Sequence, residues 1–599
     1  MILTALNDYY QRLSKENKVP QPGFSTEKIS FALAFDQNGC PQQIDDLRDT
    51  SGKKPRARPY QVPVDKRRTS GIHAYPLWDK TAYALGVTAG EGKRLSDEHA
   101  AFKARQFALF RNSDDKSLLA FLKFLDQWHP EKLSSLPGYS EEVLDSNIIF
   151  RLDGQRQYLH ENDGARRIWG AALEENTGIF GQCLITGEDA ILGTDHPAIK
   201  GVRDAQSSGA SLVSFNSEAY ESYGFRKNQN AAISTSAIFG YTTALNYLLR
   251  GDADNRQRLQ IGDTTLVFWA AAQTSKAAQV AESFFAVLNQ PPSDVQEANK
   301  LGSLLSQVAD GRPLKEVAPE LEPETQFYVL GLAPNAARLS VRFWMDDSLE
   351  HLTKYYAQHY QDLDIQPAPW KGIAPSVWWL TLQTAPINGA RPKSEDVLPQ
   401  LAGEMMRAII TGQRYPRPLL TSVVMRFRSD GNINGLRVAL CKAVLAREAR
   451  LATHSNSNKQ EVSVSLDKSS THPGYLLGRL FAELENAQRG ALGRELNATI
   501  KDRYYGAASA TPASVFPMLL RNVQNHLSSM RKKDKGGIAY NIESEIGQII
   551  DGLGDTFPRS LRIEEQGRFA IGYYHQSQAR FAKKDNANSD EQSEQGDSE

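Results

Sequence analysis

TQFYVLGLAPNAARLSVRFWMDDSLEHLTKYYAQHY, Thr325–Tyr360, is the stretch in which the chain changes character. FYVLGLA and RLSVRFW are short runs rich in β-branched and aromatic residues, which predicts two strands. Beyond Asp346 the spacing turns helical, first in DSLEHLTKYYAQHY and then in EDVLPQLAGEMMRAIITG. Residues 1–345 therefore read as an α+β region and the remainder as mostly helical, so the predicted fold class is α+β. Toward the N-terminus, Phe268 and Trp269 fall in another predicted strand, and IIFRL and CLITG flank a helical stretch around Ala165 to Glu175. Phe102, Phe107, Leu109, Phe110, Leu118, Leu119, Leu122 and Leu125 recur at helical spacing and are core candidates. Residues 24–35 look strand-like, and the Asp36-Gln-Asn-Gly39 turn after them predicts a hairpin.

Toward the C-terminus, 346–453 reads as a helical middle region and the Ser-rich 454–471 as a polar linker. Residues 472–584 carry repeated helical patterns broken at Thr511-Pro512, Gly536-Gly537 and Phe557-Pro558, the size and pattern of a self-contained helical bundle. The tail 585–599 has six acids and no base, which predicts a disordered segment that does not bind DNA.

A chain of 599 residues is longer than one core usually serves, so two or more domains are expected. Lys plus Arg number 69 against 70 Asp plus Glu, and the net charge of -1 excludes a global basic field; any nucleic-acid contact must come from local patches or partners. Cys40, Cys183 and Cys441 are far apart and form no CxxC pair, which argues against a cysteine-rich metal site and fits a reducing cytoplasm. MILTALNDYYQRL reads as an amphipathic helix and lacks the features of a signal peptide, and no apolar run approaches the ~20 residues that span a bilayer, so a cytoplasmic chain without a membrane partner is expected.

Catalytic chemistry finds no foothold. GVTAGEGKR, Gly86 to Arg94, imitates a phosphate-binding loop but carries one residue too many between its glycines, and Arg94 stands where a Ser or Thr would hold magnesium. HExxH, GxSxG and the His-Asp dipeptide of metal-dependent nucleases are absent from the sequence. We expect no catalytic residue, no metal and no cofactor.

Three clusters suit a nucleic acid. The Pro-interrupted run from Gly52 to Lys80 is rich in cations, among them Lys66, Arg67 and Arg68, beside aromatic His73 and Tyr75. The second, between Thr194 and Leu249, interleaves amides and hydroxyls (Gln206, Ser207, Ser208, Asn216, Asn228, Asn230) with Tyr223, Arg226 and Lys227, a composition able to meet a phosphate backbone or stack on a base. In the bundle, Lys501, Arg503, Arg521, Arg531, Lys532 and Lys533 can form a basic face for a displaced strand. Solvated loops and surface helix faces have the same composition, so each cluster also reads as plain surface.

HPAIKGVRDAQSSGASLVSFN, NAAISTSAIFGYTTALNYLL and IGDTTLVFWA, together with LGLAPNAARLSVRFW, LGRLFAELE, NATIKDRYY, ATPASVFP and EQGRFAIGYYHQ, closely resemble the large subunit of the type I-C CRISPR effector complex, Cascade. These blocks follow one order over nearly the whole chain. The resemblance implies an N-terminal domain that meets the short motif flanking the target, the PAM. It implies as partners a crRNA, the target double-stranded DNA and its displaced single strand, the backbone and crRNA 5′-handle-binding subunits, and a helicase-nuclease. It also implies a small subunit translated from inside the same gene. No methionine lies between Met425 and Met518, so a product containing only the bundle requires a non-AUG start, for instance at Val462 or Val464. The resulting expectation is a non-catalytic DNA-recognition subunit that supports R-loop formation. A structural scaffold without DNA readout, and a metal-dependent nuclease with an unrecognised site, remain as alternatives.

Overall fold

A computed structural model describes the chain except residues 53, 66–67, 69–70, 175–178, 194, 216, 389–390, 453–461, 494–496 and 595–599, and except the side chains of 174, 227–228, 388, 391 and 581–594. The chain divides into an N-terminal unit, 1–199 with 211–247, and a C-terminal unit, 200–210 with 248–599. This division falls near residue 247, whereas the change from strand to helix expected at residue 345 lies inside the C-terminal unit. Periodicity marks where strands give way to helices, and here the four strands between Arg258 and Ser348 belong with the helices that follow them.

In the N-terminal unit, α1 (Ile2–Lys15) buries Leu6, Tyr9, Tyr10 and Leu13 at helical spacing. The strand-like run 24–35 is two strands, β1 (Phe24–Ile29) and β2 (Phe31–Phe35). All five residues of β2 are buried, and it turns at Asp36–Gly39 into β3 (Pro41–Asp46), the expected hairpin. Asp36 Oδ1 accepts from the backbone N–H of Asn38 and Cys40, and Gly39 takes φ +86, a conformation costly to any residue with a Cβ. β4 (Arg58–Pro63) pairs with β1, and β5 (Trp78–Lys80) leads into α2 (Thr81–Ala84). Two helices, α3 (Leu95–Phe110) and α4 (Lys116–Gln127), follow; Asp115 caps α4 through the N–H groups of Ser117 and Leu118. Phe102, Phe110, Leu118, Leu122 and Leu125 are buried and Phe107 and Leu109 partly so, whereas Leu119, expected in the core, is exposed on the outer face of α4. β6 (Asn147–Leu152) completes a four-stranded sheet of order β3-β2-β6-β5, parallel between β2 and β6. After α5 (Asp163–Glu174) come the short strands β7 (Phe180–Gln182) and β8 (Asp189–Ile191), then α6 (Thr235–Leu248), whose Phe239 ring meets Tyr10 edge-on at 5.7 Å.

The C-terminal unit opens with β9 (Arg258–Ile261) and β10 (Thr264–Ala271), followed by α7 (Ser275–Asn289), α8 (Val295–Ala309) and α9 (Leu314–Val317). β11 (Gln326–Asn335) and β12 (Arg338–Ser348) are the two strands of the opening stretch, and they complete an antiparallel sheet of order β12-β11-β10-β9. Then come α10 (Leu349–Leu363), α11 (Val377–Leu382), α12 (Leu401–Thr411), α13 (Arg417–Asp430) and α14 (Gly435–Ala452). The bundle is α15 (Pro473–Leu492), α16 (Ile500–Ala510), α17 (Pro512–Lys532), α18 (Gly536–Leu553) and α19 (Ile563–Glu594). Its apolar side chains join one continuous core with those of the sheet and of α7 to α14. α15 is buried along almost its whole length, and it crosses α19 backbone to backbone: a Cβ on Gly478 would lie 2.0 Å from the Phe569 carbonyl oxygen, and one on Gly572 2.1 Å from that of Tyr475. A second face of α19 meets α13 and α14, where Gly567 lies under Leu420, Cys441 and Leu445. The bundle is therefore not self-contained, because amphipathic spacing shows an apolar face without showing what covers it.

Of the expected linker, Val462 is buried, Val464 O accepts from Gln366 N–H at 2.9 Å and Asp467 N–H donates to Tyr475 Oη at 3.0 Å, so its second half is docked on the helices. The tail also differs from expectation. α19 continues to Glu594, since each added residue of a formed helix gains a hydrogen bond; 595–599 lie outside the described residues.

Candidate nucleic-acid interface

The clearest exposed feature of the N-terminal unit is a tight hairpin at Ser222-Tyr-Gly-Phe225. Phe225 N–H donates to Ser222 O at 3.0 Å, and the two central residues take positive φ, +54 at Tyr223 and +78 at Gly224. Positive φ at both positions marks a type I′ turn, which sequence normally fills with Asn-Gly because a Cβ there is costly. Here the first position is a tyrosine, and it is 97% exposed. Phe225 beside it is 52% exposed, and Tyr220 and Arg226 are exposed too. A large aromatic held at φ +54 and turned to water gains nothing from core packing.

The polar residues around the hairpin brace it. Asn230 Oδ1 accepts from Ser222 N–H at 3.2 Å, Asn230 Nδ2 donates to Phe225 O at 3.1 Å, and Gln229 Oε1 accepts from Arg226 N–H at 2.9 Å. The base is fixed from the other side, where Leu184 N–H donates to Ala232 O and Gly193 N–H to Ile233 O. Asn230, expected as a DNA contact, staples the turn. Lys227 and Asn228 lie on a short helical turn, with side chains outside the description, and Asn216 is outside the described residues.

The loop 64–79 shows the opposite arrangement. Arg68 Nη2 donates to both carboxylate oxygens of Asp79, at 2.8 and 2.6 Å, and its Nε donates to His73 O at 2.7 Å. Its guanidinium lies over the rings of Tyr83, at 3.8 Å, and Tyr75, at 4.6 Å. Tyr75 stacks on Trp78 at 4.8 Å, and Tyr75 Oη accepts from Arg68 N–H at 3.0 Å. His73 Nε2 is 2.8 Å from Asp65 Oδ1, whose second oxygen accepts from Arg105. Asp79 is 1% exposed, and burial pushes its carboxyl above the ordinary range against the pull of Arg68. Arg68, His73 and Tyr75, expected to reach DNA, are turned on one another and form a clamp at the foot of the loop. Lys66, Arg67, Thr69 and Ser70, on the loop itself, lie outside the described residues. Sequence reasoning overlooked Asp79 and Arg105, because pairing across 11 and 40 residues leaves no local periodicity.

Gln206, Ser207 and Ser208 are exposed in a turn closed by Gly209 N–H to Gln206 O at 2.9 Å, but they belong to the C-terminal unit whereas the hairpin belongs to the N-terminal one. The Thr194–Leu249 stretch is thus divided between units. In the bundle, Lys533 Nζ donates to Ala491 O at 2.9 Å, which satisfies the carboxyl end of α15, and Arg531 pairs with Glu543. Arg503, Arg521 and Lys532 are exposed with no ion pair among the described residues, and Lys501 is half-buried. Arg521 and Lys532, 11 residues apart on α17, share one helix face.

Among the described residues no three His, Cys, Asp or Glu side chains gather as a metal-holding group, and no helix is long and apolar enough to cross a membrane. The family model of CRISPR-associated protein (Cas_Csd1) matches residues 6–581. The chain belongs to this family, in agreement with the resemblance of its sequence to a Cascade large subunit, and it works with other CRISPR components. No curated protein matches the chain.

Proposed function

We propose that the chain is the non-catalytic recognition subunit of a crRNA-guided, type I-C surveillance complex. In this reading guide pairing reads the target sequence, and the chain checks the PAM-flanking duplex, opens the first base pair beside it and so starts the R-loop; a recruited helicase-nuclease then cuts, in antiviral defence. One observation carries the reading: Tyr223 stands fully exposed at a positive φ, braced from below by Asn230 and Gln229, with Phe225 and Arg226 beside it. A braced aromatic can replace the stacking partner that an unpaired base loses, worth ~1–3 kcal/mol per base. Arg226 supplies a cation for the neighbouring phosphate.

The test is binding of guide-loaded complex, with and without this chain, to duplexes carrying one matched target and a permitted or scrambled flank, at fixed salt. A fluorescent adenine analogue at the first pair reports opening. Tyr223→Ala and Phe225→Ala should each slow opening by about tenfold while leaving the melting temperature unchanged. A flank preference that persists without the chain would reduce it to a scaffold, and metal-dependent cleavage by the purified chain would make it a nuclease.

A further inference from the structure

The C-terminal unit holds a polar cleft of about 780 Å³ between α10, the segment Thr411–Arg414 that follows α12, and the end of α14. His351, Lys354, Tyr355 and Gln358 enter it from one face of α10, at the three- and four-residue spacing that aligns side chains on a helix. Arg414 and Arg450 close the other sides, and among the described residues no Asp or Glu lines it.

The cations are built in. Asp362 is 1% exposed and accepts from Arg447 Nε at 2.6 Å and from both terminal nitrogens of Arg450 at 2.7 and 2.9 Å. Lys442 Nζ donates to the carbonyls of Gln361 and Asp362. Two arginines therefore hold one buried carboxylate, and the side chain of Arg450, 33% exposed and bound to Asp362 through both terminal nitrogens, forms a fixed wall of the cleft. Arg447 also donates to Ala408 O and Gln413 O, which holds the segment bearing Arg414 in place. Gly412, at φ +66, lies against the Tyr355 ring, where a Cβ would come within 2.6 Å. The imidazole of His351, its Nδ1 2.7 Å from Asp347 Oδ1, stands 6.4 Å from that ring. Fixed cations beside a braced ring pair are the two elements of single-strand binding, a charge for the phosphate and a plane for the base.

We propose that this cleft binds the phosphodiester backbone of a single-stranded nucleic acid, with Lys354 and Arg414 on phosphates and one base against His351 and Tyr355. The volume lies in the range of small-ligand clefts, ~300–1,000 Å³, which admits a nucleotide or two and excludes a duplex. The site goes beyond the recognition role of the hairpin and does not depend on it.

The test uses the full chain and fluorescence anisotropy with labelled oligo-dT, oligo-rU and a DNA duplex across a salt series. Lys354→Glu with Arg414→Glu, both at exposed positions outside the Asp362 network, should weaken single-strand binding at least about tenfold and flatten the slope of log K against log salt by ~0.7 per lost phosphate. Gln358→Trp fills the cleft without changing charge and should weaken the same binding. Duplex binding should not change, and a dT or rU preference tells whether the strand is DNA or RNA. Unaltered single-strand binding in the double variant, equal loss on the duplex, or normal binding by Gln358→Trp would each overturn the assignment. Tyr223→Ala should leave this binding intact, so that failure of the cleft and failure of the hairpin reading are told apart.

Discussion

The hairpin at 222–225 and the loop at 64–79 use the same residue types in opposite directions. Both set an arginine beside tyrosines. In the loop, a buried carboxylate, Asp79, draws Arg68 inward and the rings close over it. In the hairpin, the brace comes from Asn230 and Gln229 through backbone bonds, and the rings remain in water. The difference teaches that an aromatic and cationic cluster becomes a contact surface or a clamp according to what supplies its hydrogen bonds. A carboxylate consumes the cation, whereas an amide bonded to backbone leaves it outside.

The largest effect that would break this contrast is at Asp79. Asp79→Ala strands Arg68 with its carboxylate gone, and the expected loss is at the lower end of ~3–5 kcal/mol, because Arg68 retains some exposure; denaturant unfolding measures it. An unchanged midpoint would mean that the loop clamp is no more structural than the hairpin. Acid should come next. In the N-terminal unit burial lowers His160 to about 3 and His196 to about 4, from an ordinary 6.5. Below pH 6.5 the unfolded chain takes up protons that the folded one refuses, so stability falls progressively from pH 6.5 toward pH 4. Thermal melts at pH 7 and pH 5 should show the loss, and His160→Gln should shrink it. Tyr223→Gly runs the other way: relief of the positive φ should stabilise by ~0.5–1 kcal/mol while base opening declines, so stability and function separate at one residue. The smallest effect is at Arg226. Arg226→Ala should change stability by less than ~0.5 kcal/mol yet lower the salt slope of complex binding by ~1.

The strands FYVLGLA and RLSVRFW, the hairpin at Asp36–Gly39 and the helices beyond Asp346 were legible in sequence because periodicity and turn chemistry are local. The break at Ser30 was not, since both sides of it are equally apolar and β1 leaves the run to pair with β4. Nor was the division near residue 247, which depends on what the sheet packs against. Among site residues, Tyr223 and Arg226 are exposed as their neighbourhood suggested. Arg68 looked identical to them, and only its distance from Asp79 in the fold tells it apart.

The crossing of α15 and α19 has a consequence in time. Gly478 and Gly572 fit each other's backbones, but they lie about 90 residues apart in the chain. At ~5–20 residues per second the ribosome needs about 5–20 s to deliver the second glycine after the first. Through that interval α15 waits with an uncovered apolar face, and α19 arrives last to cover both it and α14. Any pause in translation between these glycines thus prolongs the exposure of the most buried helix in the bundle.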